Sequence, residues 1–165
     1  MLKKIAPLTA ILFLVVACQA TDRDQVDILA AASAPEFPEL SCAPHGRPNG
    51  EPARLTAQRV TPGHNAYIEF RQRLSPAIPS GHLYVVFGRL DERGQPKTRN
   101  YIGLYPAGSL LGLYGGAVVP MPANLAPNYA DCRFRTQAAY RVSLSEAQYR
   151  RLTREVRRVL ADPPR

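Results

Sequence analysis

The side chains of this sequence with reactive potential are three histidines, His45, His64 and His82, and three cysteines, Cys18, Cys42 and Cys132. A cysteine thiolate beside a histidine base is a nucleophile, so the first question is which of these residues could meet. Metal chemistry is not expected, because there is no H-x-x-H, H-E-x-x-H or C-x-x-C spacing. His45 and His64 lie beside proline and glycine with no other ligand-type residue nearby. There is no G-x-S-x-G serine elbow and no phosphate-binding glycine loop, and Gly108, Gly112, Gly115 and Gly116 do not have dinucleotide spacing. No cofactor is expected. His82 stands apart, since it follows Gly81 at the head of an apolar, strand-like run.

Cys18 is accounted for by its neighbours. Residues 1–17 read as a positive start (Lys3, Lys4), an apolar run (IAPLTAILFLVV) and a small residue, Ala17, before the cysteine. This is the three-part pattern of a secretory signal. A transmembrane anchor is the competing reading, but the run falls short of the roughly 20 apolar residues a helix needs to span a bilayer. Val15-Val16-Ala17-Cys18 resembles the lipobox of bacterial lipoproteins. The resemblance implies cleavage before Cys18, a diacylglycerol on its sulfur and an acylated N-terminus, which make the membrane a partner through the lipid anchor. Gln19, rather than aspartate, follows the cysteine, and by the sorting habit of such lipoproteins this favours the outer membrane, facing the periplasm.

Cys42 and Cys132 then remain in a compartment that permits disulfides. A bridge between them would close a loop of about 90 residues and stabilise by several kcal/mol on the chain-entropy argument. The rival reading makes one of them a catalytic thiolate.

The elements that must position these residues follow from pattern. Residues 18–54 are expected to be a lipid-anchored tether, because prolines 35, 38, 44, 48 and 52 forbid a long helix and stiffen the chain. Residues 55–165 are expected to form one small domain. Within it, 66–70 alternates as a short strand. Residues 82–90 (HLYVVFGRL) are apolar on both faces, as in a central strand, and return through Asp91-Glu92-Arg93-Gly94 to a second arm, 98–105. Residues 107–128 read as a long apolar loop and 138–142 as another strand. The final helix, 145–161, is the best specified: Ser145 and Gln148 form a capping box, Leu144 and Tyr149 a hydrophobic staple, and Tyr149, Leu152, Val156 and Val159 an apolar stripe. The predicted class is α+β, a small antiparallel sheet packed against a C-terminal helix.

The full chain has a formal net charge of +8, which becomes +6 when residues 1–17, with Lys3 and Lys4, are removed. Lys97 is then the only lysine, so the basic surface is almost wholly arginine. Such a surface suits an anionic envelope component or simple solvation; no nucleic-acid motif accompanies it. Oligomeric state is not legible.

Ser80-Gly81-His82-Leu83-Tyr84-Val85-Val86 resembles the start of the core strand in circularly permuted papain-like hydrolases of the peptidoglycan-amidase type, and Gly103-Leu104-Tyr105-Pro106 and the stretch 140–149 are similar to later elements of that superfamily. The resemblance covers roughly residues 80–160. It implies that His82 pairs with a cysteine thiolate, which in this permuted order follows the histidine as Asn-Cys at a helix start. No cysteine follows Cys132, which precedes a strand, and Cys42 lies among prolines. The chain therefore reads as a non-catalytic relative or as a piece ending before its Asn-Cys segment, and His82 as either a catalytic candidate or a structural residue at a strand start. The expected role is a lipid-anchored envelope protein that binds or braces; the alternative is a thiol hydrolase or acyltransferase acting on envelope amides or esters.

Overall fold

The computed structural model describes residues 36–75, 78–106 and 123–163. The signal segment, the lipobox with Cys18 and residues 107–122 of the expected apolar loop 107–128 lie outside the described residues. The described elements are β1 (Ala57–Arg59), β2 (Ala66–Ser75), β3 (Ile78–Arg89), β4 (Asn100–Gly103), β5 (Tyr105–Pro106), β6 (Ala123–Asn124), α1 (Tyr129–Arg133), β7 (Ala138–Leu144) and α2 (Glu146–Ala161). No described helix is long and apolar enough to cross a membrane.

Five strands form one sheet in the order β1-β7-β2-β3-β4, and β5 pairs with β6 separately. The protein is α+β, with α2 packed on the sheet. The sheet is antiparallel except at one edge, where β1 runs parallel to β7. The middle strand is β2, with β7 on one side and β3 on the other. The 82–90 run, expected at the centre, lies one place from the β4 edge. Both of its faces are apolar because each side of the sheet carries a core, although Leu83 at its start stays exposed.

One side holds a core of Phe37, Leu40, Ala66, Phe87, Tyr149 and Val156. The capping box around Ser145 forms as its residues dictate, with Gln148 N donating to Ser145 Oγ and Ser145 N to Gln148 Oε1. A cap of this kind is worth about 1 kcal/mol and fixes where α2 starts, immediately after β7. The helix is amphipathic, and Tyr149, Thr153 and Val156 are its buried residues.

The opposite side holds Cys42, Tyr67, Tyr84, Val86, Tyr101 and Cys132. Here the expected tether has to be corrected. Residues 36–54 belong to the folded body, which forms a compact unit from residue 35 onward. Prolines do break up helix in this stretch, leaving only two short 3-10 turns, Pro38–Leu40 and Ala43–His45. The apolar residues between them decide the outcome: Phe37, Leu40 and Cys42 are all buried. Phe37 N donates to Asn100 Oδ1, and Tyr101 OH donates to Asn49 O, so the segment wraps the β4 edge and contributes to both cores.

Candidate functional site

On β2 the alternation of side chains puts Tyr67, Glu69, Arg71 and Arg73 on the side of the sheet away from α2. Register places Glu69 opposite Val86 and Arg141, Arg71 opposite Tyr84, and Arg73 opposite His82. Glu69, Arg71, Arg73 and Arg141 are all buried. Charges can be buried only when they are paired and hydrogen-bonded. Glu69 meets this condition twice over, accepting from Arg71 Nε at 2.6 Å and from Arg141 Nε at 2.7 Å. The two guanidinium groups also lie near aromatic rings, Arg71 at 5.5 Å from the Tyr101 centroid and Arg141 at 5.2 Å from that of Tyr67.

At the end of this charged row sits His82. Between Arg73 and Ser75 the β2–β3 register shifts, and Gly81 takes up the irregularity with φ +77°. A Cβ there would lie 2.9 Å from the Arg73 carbonyl oxygen, so glycine suits this position on both conformational and steric grounds. The irregularity delivers His82 into a cluster around Asp131. Asp131 accepts from Arg73 Nε at 2.8 Å and from the Tyr105 hydroxyl. Arg73 Nη2 reaches Tyr105 OH at 3.2 Å and Asn128 Oδ1 at 3.4 Å. His82 Nε2 lies 4.0 Å from Asp131 Oδ1 and has no hydrogen-bond partner among the described residues. The imidazole stacks on Tyr105, with ring centroids 4.4 Å apart.

Short-range geometry explains how Asp131 arrives. Asn128 caps α1, accepting from Asp131 N at 2.9 Å while its own N–H donates to Asp131 Oδ2 at 3.3 Å. Cys132, the next residue, is disulfide-bonded to Cys42, with Cα atoms 5.5 Å apart. Cys132 thus belongs to a short helix, α1, and not to a bare approach to a strand. Cys42 caps a 3-10 turn in the wrapped N-terminal segment.

Electrostatics set the state of the cluster. Burial is the main influence on His82 and pushes its pKa below the ordinary histidine value; Asp131 opposes this and Arg73 adds to it. Burial, then the bond to Asp131, hold the Tyr105 proton well above the usual tyrosine range. Burial also pushes Tyr84 up to about 12. At neutral pH the cluster is therefore a neutral imidazole and two neutral phenols beside the Arg73–Asp131 ion pair. It can hold a proton at His82, or orient a group against Arg73, but among the described residues no thiol stands next to the imidazole.

Of the residues singled out from the sequence, His82 lies in the cluster and Cys132 is one residue from Asp131. His45 and His64 lie elsewhere, with His45 Nε2 3.1 Å from Pro127 O and His64 Nδ1 3.1 Å from Ser143 Oγ. No group of three or more His, Cys, Asp or Glu able to hold a metal occurs among the described residues. Sequence reading missed Arg73, Asp131 and the Glu69 pair. Their traces in the sequence are the charge alternation 69, 71, 73, which reads equally well as a solvent face, and the N-x-x-D cap at Asn128 and Asp131.

Gly103 is the close-packing point of the cluster. A Cβ there would fall 2.5 Å from Tyr105 Cε2, 2.9 Å from Asp131 Oδ2 and 3.1 Å from His82 Nε2. Gly103→Ala should therefore cost about 1–3 kcal/mol in urea unfolding and move the His82 ring resonances in NMR spectra, because Tyr105 must leave its stacked position.

No protein-family model, curated protein or solved structure matches the chain.

Proposed function

We propose that this chain is a lipid-anchored protein of the cell envelope, held by Cys18 in the outer membrane facing the periplasm, whose folded body binds or braces an anionic envelope component and does not catalyse. The observation that carries this reading is the Cys42–Cys132 disulfide. It leaves His82 with a buried ion pair and two tyrosines as neighbours and takes both sulfurs of the folded body out of nucleophilic chemistry. A disulfide also suits an oxidising compartment, which is where the signal segment would send the chain. Feeding cells an alkyne-tagged fatty acid tests the anchor. The wild-type chain should carry the tag and fractionate with membranes; Cys18→Ser should lose both properties. Tagging that survives Cys18→Ser would overturn the reading.

One observation favours the papain-like alternative: Gly81-His82 and Gly103-Leu104-Tyr105, distant in sequence, converge on one cluster. In that reading His82 is the general base, and the nucleophile comes from outside this chain.

His82 gives a pH dependence in either case. Its folded pKa is depressed below the unfolded value of about 6.5. Below that pH the unfolded chain binds the proton and the folded protein resists it, so stability is full above about 6.5 and is lost as pH falls toward the folded pKa. Urea midpoints measured across this range should decline on the acid side, and His82→Gln should flatten that decline. An unchanged slope in His82→Gln would show that another group is responsible.

A further inference from the structure

Among the described residues, the side of the sheet that carries α2 is only half covered. Phe70 stands opposite Tyr140 and Val85 in one cross-strand row, and Leu83 lies in the next row on β3, opposite Gln72. The helix shelters Ile68 and Phe87 but leaves Phe70, Leu83 and Tyr140 at 49%, 72% and 42% exposure. Large contiguous apolar patches on a protein surface mark interaction sites. On α2, which packs on this same side of the sheet, Arg151 and Arg154 are exposed on the face turned away from the core, and neither has an ion-pair partner among the described residues.

The path of the chain indicates what this surface faces. Glu36 accepts from Tyr149 OH at 2.9 Å and from Arg157 Nη2 at 2.7 Å, both on α2. The polypeptide therefore joins the folded body against α2, on the same side of the sheet as this patch. From Cys18 to Glu36 an extended chain reaches about 60 Å at most. An acyl anchor at Cys18 would keep the folded body close to lipid at high effective concentration.

We infer that the α2 side of the sheet, through Phe70, Leu83 and Tyr140 with Arg151 and Arg154, docks on an anionic lipid surface. This rests on the lipid-anchor reading for its biological setting. Guanidinium groups match phosphate oxygens in planar, paired geometry. Exposed apolar side chains on the same side of the sheet can enter the headgroup–acyl boundary, the combination used by interfacial protein surfaces. The formal charge of +6 on residues 18–165 favours anionic over neutral lipid.

The test uses the protein lacking residues 1–18. Its cores and its disulfide lie within residues 36–163, so it retains them. Without Cys18 it cannot be acylated, which separates docking from anchoring. It should sediment with vesicles of phosphatidylethanolamine and phosphatidylglycerol, and about tenfold or more weaker with phosphatidylcholine alone. Arg151→Gln with Arg154→Gln, and separately Phe70→Ser with Leu83→Ser, should each weaken sedimentation about tenfold. These side chains are exposed, so circular dichroism should show an unchanged fold. Equal retention on both kinds of vesicle, or none on either, would overturn the docking, as would a dimer in ultracentrifugation that Leu83→Ser dissolves. Fatty-acid tagging of the full chain without vesicle binding would refute the docking alone. Vesicle binding without tagging would refute the anchor alone.

Discussion

Glu69→Gln should destabilise the protein by about 3–5 kcal/mol, read as a fall in the urea midpoint or as failure to accumulate folded. Glu69 is fully buried and neutralises two buried guanidinium groups at once. Glutamine keeps the shape and one acceptor oxygen but removes the charge, leaving Arg71 and Arg141 as two uncompensated buried cations. The comparison with Arg141→Gln makes the claim specific. That substitution leaves Glu69 with Arg71 as a one-to-one pair, so it should cost distinctly less than Glu69→Gln. If the two cost the same, the row is held by packing and not by charge.

The second large effect is expected at the disulfide. Cys42 and Cys132 are 90 residues apart in sequence, and a loop of that length corresponds to about 4–5 kcal/mol in the chain-entropy estimate, with native bridges in small exported domains typically contributing about 2–5. Cys42→Ala with Cys132→Ala should lose stability in that range. It should also carry a local signature. The bridge ties the N-terminal segment to α1, and Asp131 is the residue before Cys132, so the double variant should show faster amide exchange at α1 and an altered His82 titration by NMR. Lost stability with an unchanged His82 would mean that the bridge and the cluster are independent.

What the sequence revealed was governed by how local each cause was. The start of α2 is set by four residues, Ser145 to Gln148, and by the staple on either side of them, so its position could be read directly. The hairpin of β3 and β4 was legible for the same reason, from an apolar run and a glycine-containing turn. Glu69, Arg71 and Arg73 were not legible, because a charge on every second residue of a strand normally marks a solvent face. Only the register with Arg141, 72 residues from Glu69, and the arrival of Asp131, 58 residues from Arg73, make that face interior. The N-terminal segment misled in the opposite direction. Five prolines in 35–52 suggested a spacer, while Phe37 and Leu40, isolated between them, carried too little periodicity to show that they fill a core. The five residues of α1 are too few for a helical stripe, so the helix that delivers Asp131 left only its cap as a trace. His82 was singled out by its position after Gly81, but its partners come from β2, β5 and α1, and no spacing rule connects them.

The most direct test of the account is the intact mass of the mature chain, purified from the membranes of a bacterium that expresses it and alkylated with iodoacetamide without reductant. The expected mass is that of residues 18–165 with a diacylglyceryl group on Cys18 and an acylated amino terminus, and with no alkylation of Cys42 or Cys132. A chain that still begins at Met1, or one that takes up iodoacetamide at Cys132, would contradict it.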